Sequence, residues 1–303
     1  MKVISRSDVP KLCEAEFVLP QKNLLVGGCS FTSFNFGNKQ EYFDILKQNY
    51  ENIRGDSHWP NIATAEDWDN LPEIIKNECE QKGCNWKELT YVTWPVYTRD
   101  LLGMSDIYDC SCPGAGNKHI HDSVMYALET NINLTPANTF IVIMWSGYGR
   151  DDVMIDKSWL KSDSPCRYDY TGEVSLGLTG GILGQGNLLC SLDVLKRVKS
   201  NKSRAIENFL LILSLKSYLQ KRGFEFVFTE FSSDLKEYEI SVKENLDSLL
   251  INKWQDLIGD IETLGEYAWE TVDGSHPSPK CHWAWSKNIL IPRILKTLKK
   301  ELK

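Results

Sequence analysis

The sequence contains no apolar run near the roughly 18 residues that a bilayer span requires. Its first stretch, MKVISRSDVPKLCEAEF, has early basic residues but lacks the apolar centre of a secretion signal. With both features missing, the expected location is the cytoplasm, and the glycosylation sequons at Asn133 and Asn201 carry no meaning. A basic excess is absent too, since 34 Lys and Arg stand against 41 Asp and Glu, a net charge of −7. Nucleic-acid binders need a basic surface to neutralise phosphates, so that class is disfavoured, as is a membrane partner. The strongest basic cluster, KTLKKELK, reads as a solvated helix end. Nine cysteines, an odd number, are scattered along the whole chain, which argues against a disulfide framework and for a reducing compartment. Internal repeats and low-complexity linkers are also missing.

What is present fits one large α/β domain spanning residues 1–303, with sizeable insertions. Short apolar runs alternate with helical spacing. Leu24 to Cys29 reads as a strand, Leu89 to Trp94 as a second, Phe140 to Trp145 as a buried third, and Phe224 to Thr229 as a fourth. Helical patterns cover about 39–49, 64–83, 117–130, 192–220 as one or two helices with Gly223 at their end, 234–250 and 282–301. The stretch 151–190 breaks the rhythm with five glycines between 177 and 186 and is read as an insertion or lid. Strands separated by helices predict a three-layer α/β/α sandwich with a mostly parallel sheet. Ligands of such sheets sit at the carboxyl ends of the strands. Three of the four expected strands end there in unusual sequences: GGCSFT, WPVYTRD and MWSGYGR.

Two segments carry the chemistry. Ser30 follows the first strand after small residues, where a tight turn can present its hydroxyl at the sheet edge. Taken alone, a serine there is more often a helix cap. Asp273 and His276 lie three residues apart in DGSHP, so that one turn can bring carboxylate and imidazole to the same cavity. The carboxylate can then fix the imidazole tautomer while the imidazole takes the serine proton. Taken alone, this pair reads equally well as a capped loop beside Pro277.

Together the two segments resemble the SGNH/GDSL hydrolase superfamily, with GGCSFT as its first block and DGSHP as its last. Cys29 stands where the family usually has Asp. The resemblance implies a flavodoxin-like fold and a triad of Ser30, Asp273 and His276, with no metal or organic cofactor. It implies an oxyanion glycine after the second strand, for which Gly114 is the better match and Gly116 the alternative, with Asn117 beside them as helix cap or substrate contact. The family's third block supplies an Asn donor. The corresponding WSGYGR has none, and Ser146 or Arg150 is the candidate replacement. Arg150 also suits an anionic substrate or an ion pair with Asp151 or Asp152.

The implied activity is a serine esterase or deacylase acting through an acyl-enzyme on a small-molecule or glycan ester. An acyltransferase with the same triad, or a non-catalytic binding or virion protein that keeps the fold, is the alternative. Rival readings are weaker. Cys110, Cys112, His119 and His121 suggest zinc, but histidines two apart on a helix face different ways. GGILGQG lacks the Lys-Ser/Thr of a phosphate loop. Of the ten tryptophans, Trp283 and Trp285 lie closest after His276 and are the candidates for shaping a pocket.

Overall fold

The computed structural model describes residues 2–4, 15–17, 19, 22–29, 32, 73, 76–77, 81, 93–112, 115–147, 151–155, 167–168, 174–178, 201–231, 257, 263–267, 277 and 279–301. Five strands form one sheet in the order β1, β3, β2, β4, β8. They are β1 (Lys2–Ile4), β2 (Asn23–Gly27), β3 (Ile107–Asp109), β4 (Thr139–Trp145) and β8 (Glu225–Glu230). The last four of that order run parallel and are flanked by helices. β4 is buried at all seven residues, which explains why its apolar side chains do not alternate. It pairs with β8 from Phe140 opposite Glu225 to Trp145 opposite Glu230.

Connectivity decides where a ligand belongs. From β2 the chain goes to β3 on one side, then returns through α2 (Asn117–Thr130) to β4 on the other. The strand order therefore reverses between β2 and β4. Parallel sheets open their crevice at the carboxyl ends of such a pair.

The chain divides into two compact units. The first comprises residues 25–32 and 109–263 with Met1. In it α2 packs on β4 and on α3 (Asn201–Arg222), and α3 packs on β8. Gly27 lets α2 approach: a Cβ there would stand 2.7 Å from Val124 Cγ2 and 3.0 Å from Ile143 Cδ1. α3 ends in a Schellman motif. Gly223 turns left-handed at φ +75, its amide donating to Gln220 and that of Phe224 to Leu219. The described residues of the stretch 151–190 are strand. β5 (Asp151–Ile155), β6 (Arg167–Tyr168) and β7 (Val174–Leu178) make a separate antiparallel sheet in the order β5, β7, β6.

The second unit comprises residues 2–24, 33–108 and 264–303. α1 (Trp94–Leu101) is buried along its whole length and packs against α4 (Pro279–Trp285). Trp94 and Trp285 meet edge to face at 5.9 Å. A π turn at Ser286–Leu290 joins α4 to α5 (Ile291–Glu301), and Ser286 Oγ bonds back to the His282 carbonyl at 2.8 Å inside it.

One expected strand is corrected. Trp94 opens a helix, after an extended Thr93, rather than ending a strand. Pro95 sits in the first turn, where its missing N–H costs nothing and its fixed φ favours helix. The strand beside β2 is instead β3, and WPVYTRD belongs to α1 rather than to the sheet edge. Residues 89–92 lie outside the described residues, as do the helical patterns at 39–49 and 234–250; within 64–83, residues 73, 76, 77 and 81 are helical. No described helix is long and apolar enough to cross a membrane. Gly27→Ala is expected to lower the unfolding free energy by about 1–3 kcal/mol through overpacking of Val124 and Ile143, measured by urea denaturation.

Candidate functional site

The carboxyl edge of the parallel sheet is built from the segments after β2, β3 and β4. After β2, the Thr32 amide closes on the Cys29 carbonyl, donating to it at 3.0 Å. Gly28 is required beneath that closure, because a Cβ would stand 2.0 Å from Thr32 Oγ1 and 2.5 Å from Thr32 Cβ. The segment after β3 is laced to it. The Cys110 amide donates to Val26 at 2.9 Å and the Cys112 amide to Gly28 at 3.1 Å. Asp109 accepts from the Ser111 amide at 2.8 Å and from its hydroxyl, and Ser123 Oγ donates to the Cys110 carbonyl at 3.1 Å.

The start of α2 is clamped twice. Gly116 is its N-cap and has no side chain to offer. Asp152, from β5, supplies the missing carboxylate: Oδ1 accepts from the Gly116 amide and Oδ2 from the His119 amide, both at 2.8 Å. A negative group at a helix N-terminus is stabilised by the free N–H groups and the helix dipole. With Asp152 there, the chain fills its own anion site.

Asn117, the first helical residue, makes the second clamp. Its Oδ1 accepts from the Ser146 amide at 2.7 Å, and its Nδ2 donates to the Ser146 carbonyl at 2.9 Å and to Asn208 Oδ1 at 2.7 Å. The side-chain amide thus pairs with the backbone of Ser146 as a neighbouring strand would. All three residues are buried.

Ser146 and Asn117 are therefore brought together, and the Gly116 amide is committed to Asp152. Ser30, Gly114, Arg150, Asp273 and His276 lie outside the described residues. Pro277, beside His276, is buried. Trp285 lies in the core of the second unit against Trp94, and Trp283 stacks on Lys287, whose Nζ is 5.2 Å from the ring centre.

A second Ser-His-Asp arrangement lies between α2 and α3. His121 Nε2 is 2.9 Å from Ser214 Oγ, and its Nδ1 is 2.7 Å from Asp122 Oδ1. The connectivity imitates a triad, yet the chemistry does not follow. The Ser214 hydroxyl also donates to the Leu211 carbonyl at 2.9 Å, so the helix backbone competes with the imidazole for its proton. Ser214 also sits in the middle of a 22-residue helix, where backbone N–H groups are spent on the helix and none remains for an oxyanion. Burial pushes the Asp122 carboxyl up, but hydrogen bonds from His121 and Lys118 outweigh it and hold the group below its usual range. The cluster is an interhelical clip.

Because both His121 ring nitrogens are engaged, this histidine offers no lone pair to a metal. Burial and the neighbouring Asp109 push the Cys110 thiol up to about 12, which keeps it protonated and a poor ligand at neutral pH. No group of three His, Cys, Asp or Glu side chains able to hold a metal occurs among the described residues.

Asp152 and Asn208 were missed by sequence reasoning. Asn208 had one weak signal, a carboxamide just before the apolar run FLLIL on a helix. Asp152 had none, because its partners lie 36 and 33 residues away. No protein-family model matches the chain, and no curated protein matches it.

Asn117→Ala should cost about 2–4 kcal/mol in urea denaturation, since it strands the buried Ser146 amide and carbonyl. Asp152→Ala should cost about 0.5–2 kcal/mol in the same assay through loss of the cap.

Proposed function

We propose that the chain is a serine esterase or deacylase of the SGNH/GDSL type, a flavodoxin-like three-layer sandwich in which 151–190 is an insertion over the site. One observation carries the reading. The GGCSFT segment follows β2, the strand from which the order reverses, and Thr32 closes so tightly on Gly28 that no side chain fits there. A serine that follows a strand and small residues in sequence, next to so tight a contact, suits a nucleophile.

In this reading Ser30 Oγ attacks an acyl carbonyl while His276 takes its proton and Asp273 holds the imidazole. The alcohol leaves with that proton. Water, activated in turn by His276, then releases the acid. The amides of Ser30 and Gly114 stabilise the tetrahedral oxyanion. The ester proposed is that of a small molecule or a glycan. A cytoplasmic setting and independence from cofactors belong to the same reading.

The test is labelling by a fluorophosphonate probe, in which the serine oxygen displaces fluoride from phosphorus, with the labelled residue mapped by mass spectrometry. The folded wild type is expected to carry label on Ser30, Ser30→Ala none, and His276→Ala to label on the order of 10⁴-fold more slowly. Label on Ser214, or label surviving Ser30→Ala, would sink the nucleophile assignment. A folded wild type that takes no label favours a binding protein instead.

A further inference from the structure

We infer that Cys29 and Cys112 are a redox-sensitive pair that closes a reversible disulfide when a peroxide reaches Cys112. The inference does not rest on the acyl-transfer reading. Three hydrogen bonds fix the register of the two chain segments that carry these residues. The Leu24 amide donates to the Asp106 carbonyl at 2.8 Å, the Cys110 amide to that of Val26 at 2.9 Å and the Cys112 amide to that of Gly28 at 3.1 Å. In a parallel ladder, a residue bonds to the two chain neighbours of the residue opposite it. Leu24, Val26 and Gly28 therefore lie opposite Ile107, Asp109 and Ser111. The next position along each chain sets Cys29 opposite Cys112.

Opposed residues of parallel neighbours share a face of the sheet and stand about 4.8 Å apart, within the roughly 4.4–6.8 Å between Cα atoms that a disulfide spans. Both cysteines lie past the ends of β2 and β3. Modest backbone rotation there can bring their Cβ atoms to the ~3.8 Å the bond requires. Cys110 does not compete for Cys29. The same register sets it opposite Gly27, and two residues along a strand add about 6.6 Å, which takes the pair beyond the roughly 7 Å limit.

Burial divides the labour between the two thiols. Cys112 is half-buried and open to a small oxidant, whereas Cys29 is 1% exposed. Cys110 is buried as well, and its thiol, pushed up to about 12, stays protonated and unreactive. The Cys112 thiol loses its proton to solvent, and its sulfur attacks one peroxide oxygen. The O–O bond breaks, hydroxide leaves and takes up a proton, and Cys112 becomes a sulfenic acid. The Cys29 sulfur then attacks that of Cys112. The S–S bond forms as the S–O bond breaks, and the departing hydroxide takes the Cys29 proton to become a second water. Two thiols are thereby oxidised to one disulfide and one peroxide is reduced to two waters. A dithiol reverses the change by exchange. A transient pair of this kind suits a compartment that otherwise keeps thiols reduced.

The experiment treats the reduced, folded full chain with hydrogen peroxide, alkylates the remaining thiols and maps the cysteine peptides by mass spectrometry. The wild type is expected to yield the Cys29 and Cys112 peptides joined, about 2 Da lighter than their sum, and dithiothreitol to separate them. Cys110→Ala should give the same linkage. In Cys29→Ala the oxidation stops at the sulfenic acid, so dimedone is expected to label Cys112. In Cys112→Ala dimedone should leave Cys29 unlabelled. Absence of the joined peptide from the peroxide-treated wild type overturns the assignment, and so does a bond from Cys112 to any other cysteine. That mapping is made on the wild type, so a Cys29→Ala that fails to fold does not remove the test. Neither result bears on whether Ser30 takes a fluorophosphonate, which keeps the two proposals separable.

Discussion

The pairing of the Asn117 carboxamide with the Ser146 backbone fixes the relation between the helix that starts at the sheet edge and the strand that ends there. Ser146 lies just past β4, so its N–H and C=O have left the ladder that satisfies the rest of the strand. Buried backbone groups must find partners, and none is supplied by the next segment of strand. One side-chain amide, presenting an acceptor and a donor at strand-like spacing, satisfies both. Asn208 then settles which way round that amide sits, because its Oδ1 accepts from Nδ2. α2, α3 and the end of β4 meet at this point.

The same helix start is held from its other side by Asp152. Helices at the carboxyl edge of a parallel sheet usually offer their free N–H groups to a ligand's anion. Here those of Gly116 and His119 go to a carboxylate of the chain itself. Those two N–H groups are consequently occupied by the chain itself and are not free for a ligand's anion. The carboxylate comes from β5, so the stretch that interrupts the α/β rhythm also completes the helix it follows.

Much of the fold was legible, and the reasons are local. β4 announced itself by six consecutive apolar residues, α2 by its spacing and the glycines before it, and the end of α3 by Gly223. β3 escaped because it has three residues, IYD, too few for any period to register. The run LTYVTW has strand composition, yet Pro95 in the first turn of a helix outweighed it at Trp94. The site was legible to the extent that its chemistry lies in motifs. Ser146 and Asn117 were singled out, but their bonding spans 29 residues and no spacing rule reaches that far.

The two Ser-His-Asp sets mark the difference between connectivity and function. Ser214, His121 and Asp122 have near-ideal distances, and a search by distance alone would choose them. They lack everything around the distances. The Leu211 carbonyl competes for the serine proton, and the surrounding backbone is closed into helix. Around the proposed site the pattern is reversed. The peptide groups of Ser146, Gly116 and Cys112 are each tied down by hydrogen bonds to other segments. Backbone held in this way is what the proposed acyl transfer asks for, because the cost of orienting its donors is met before a substrate arrives.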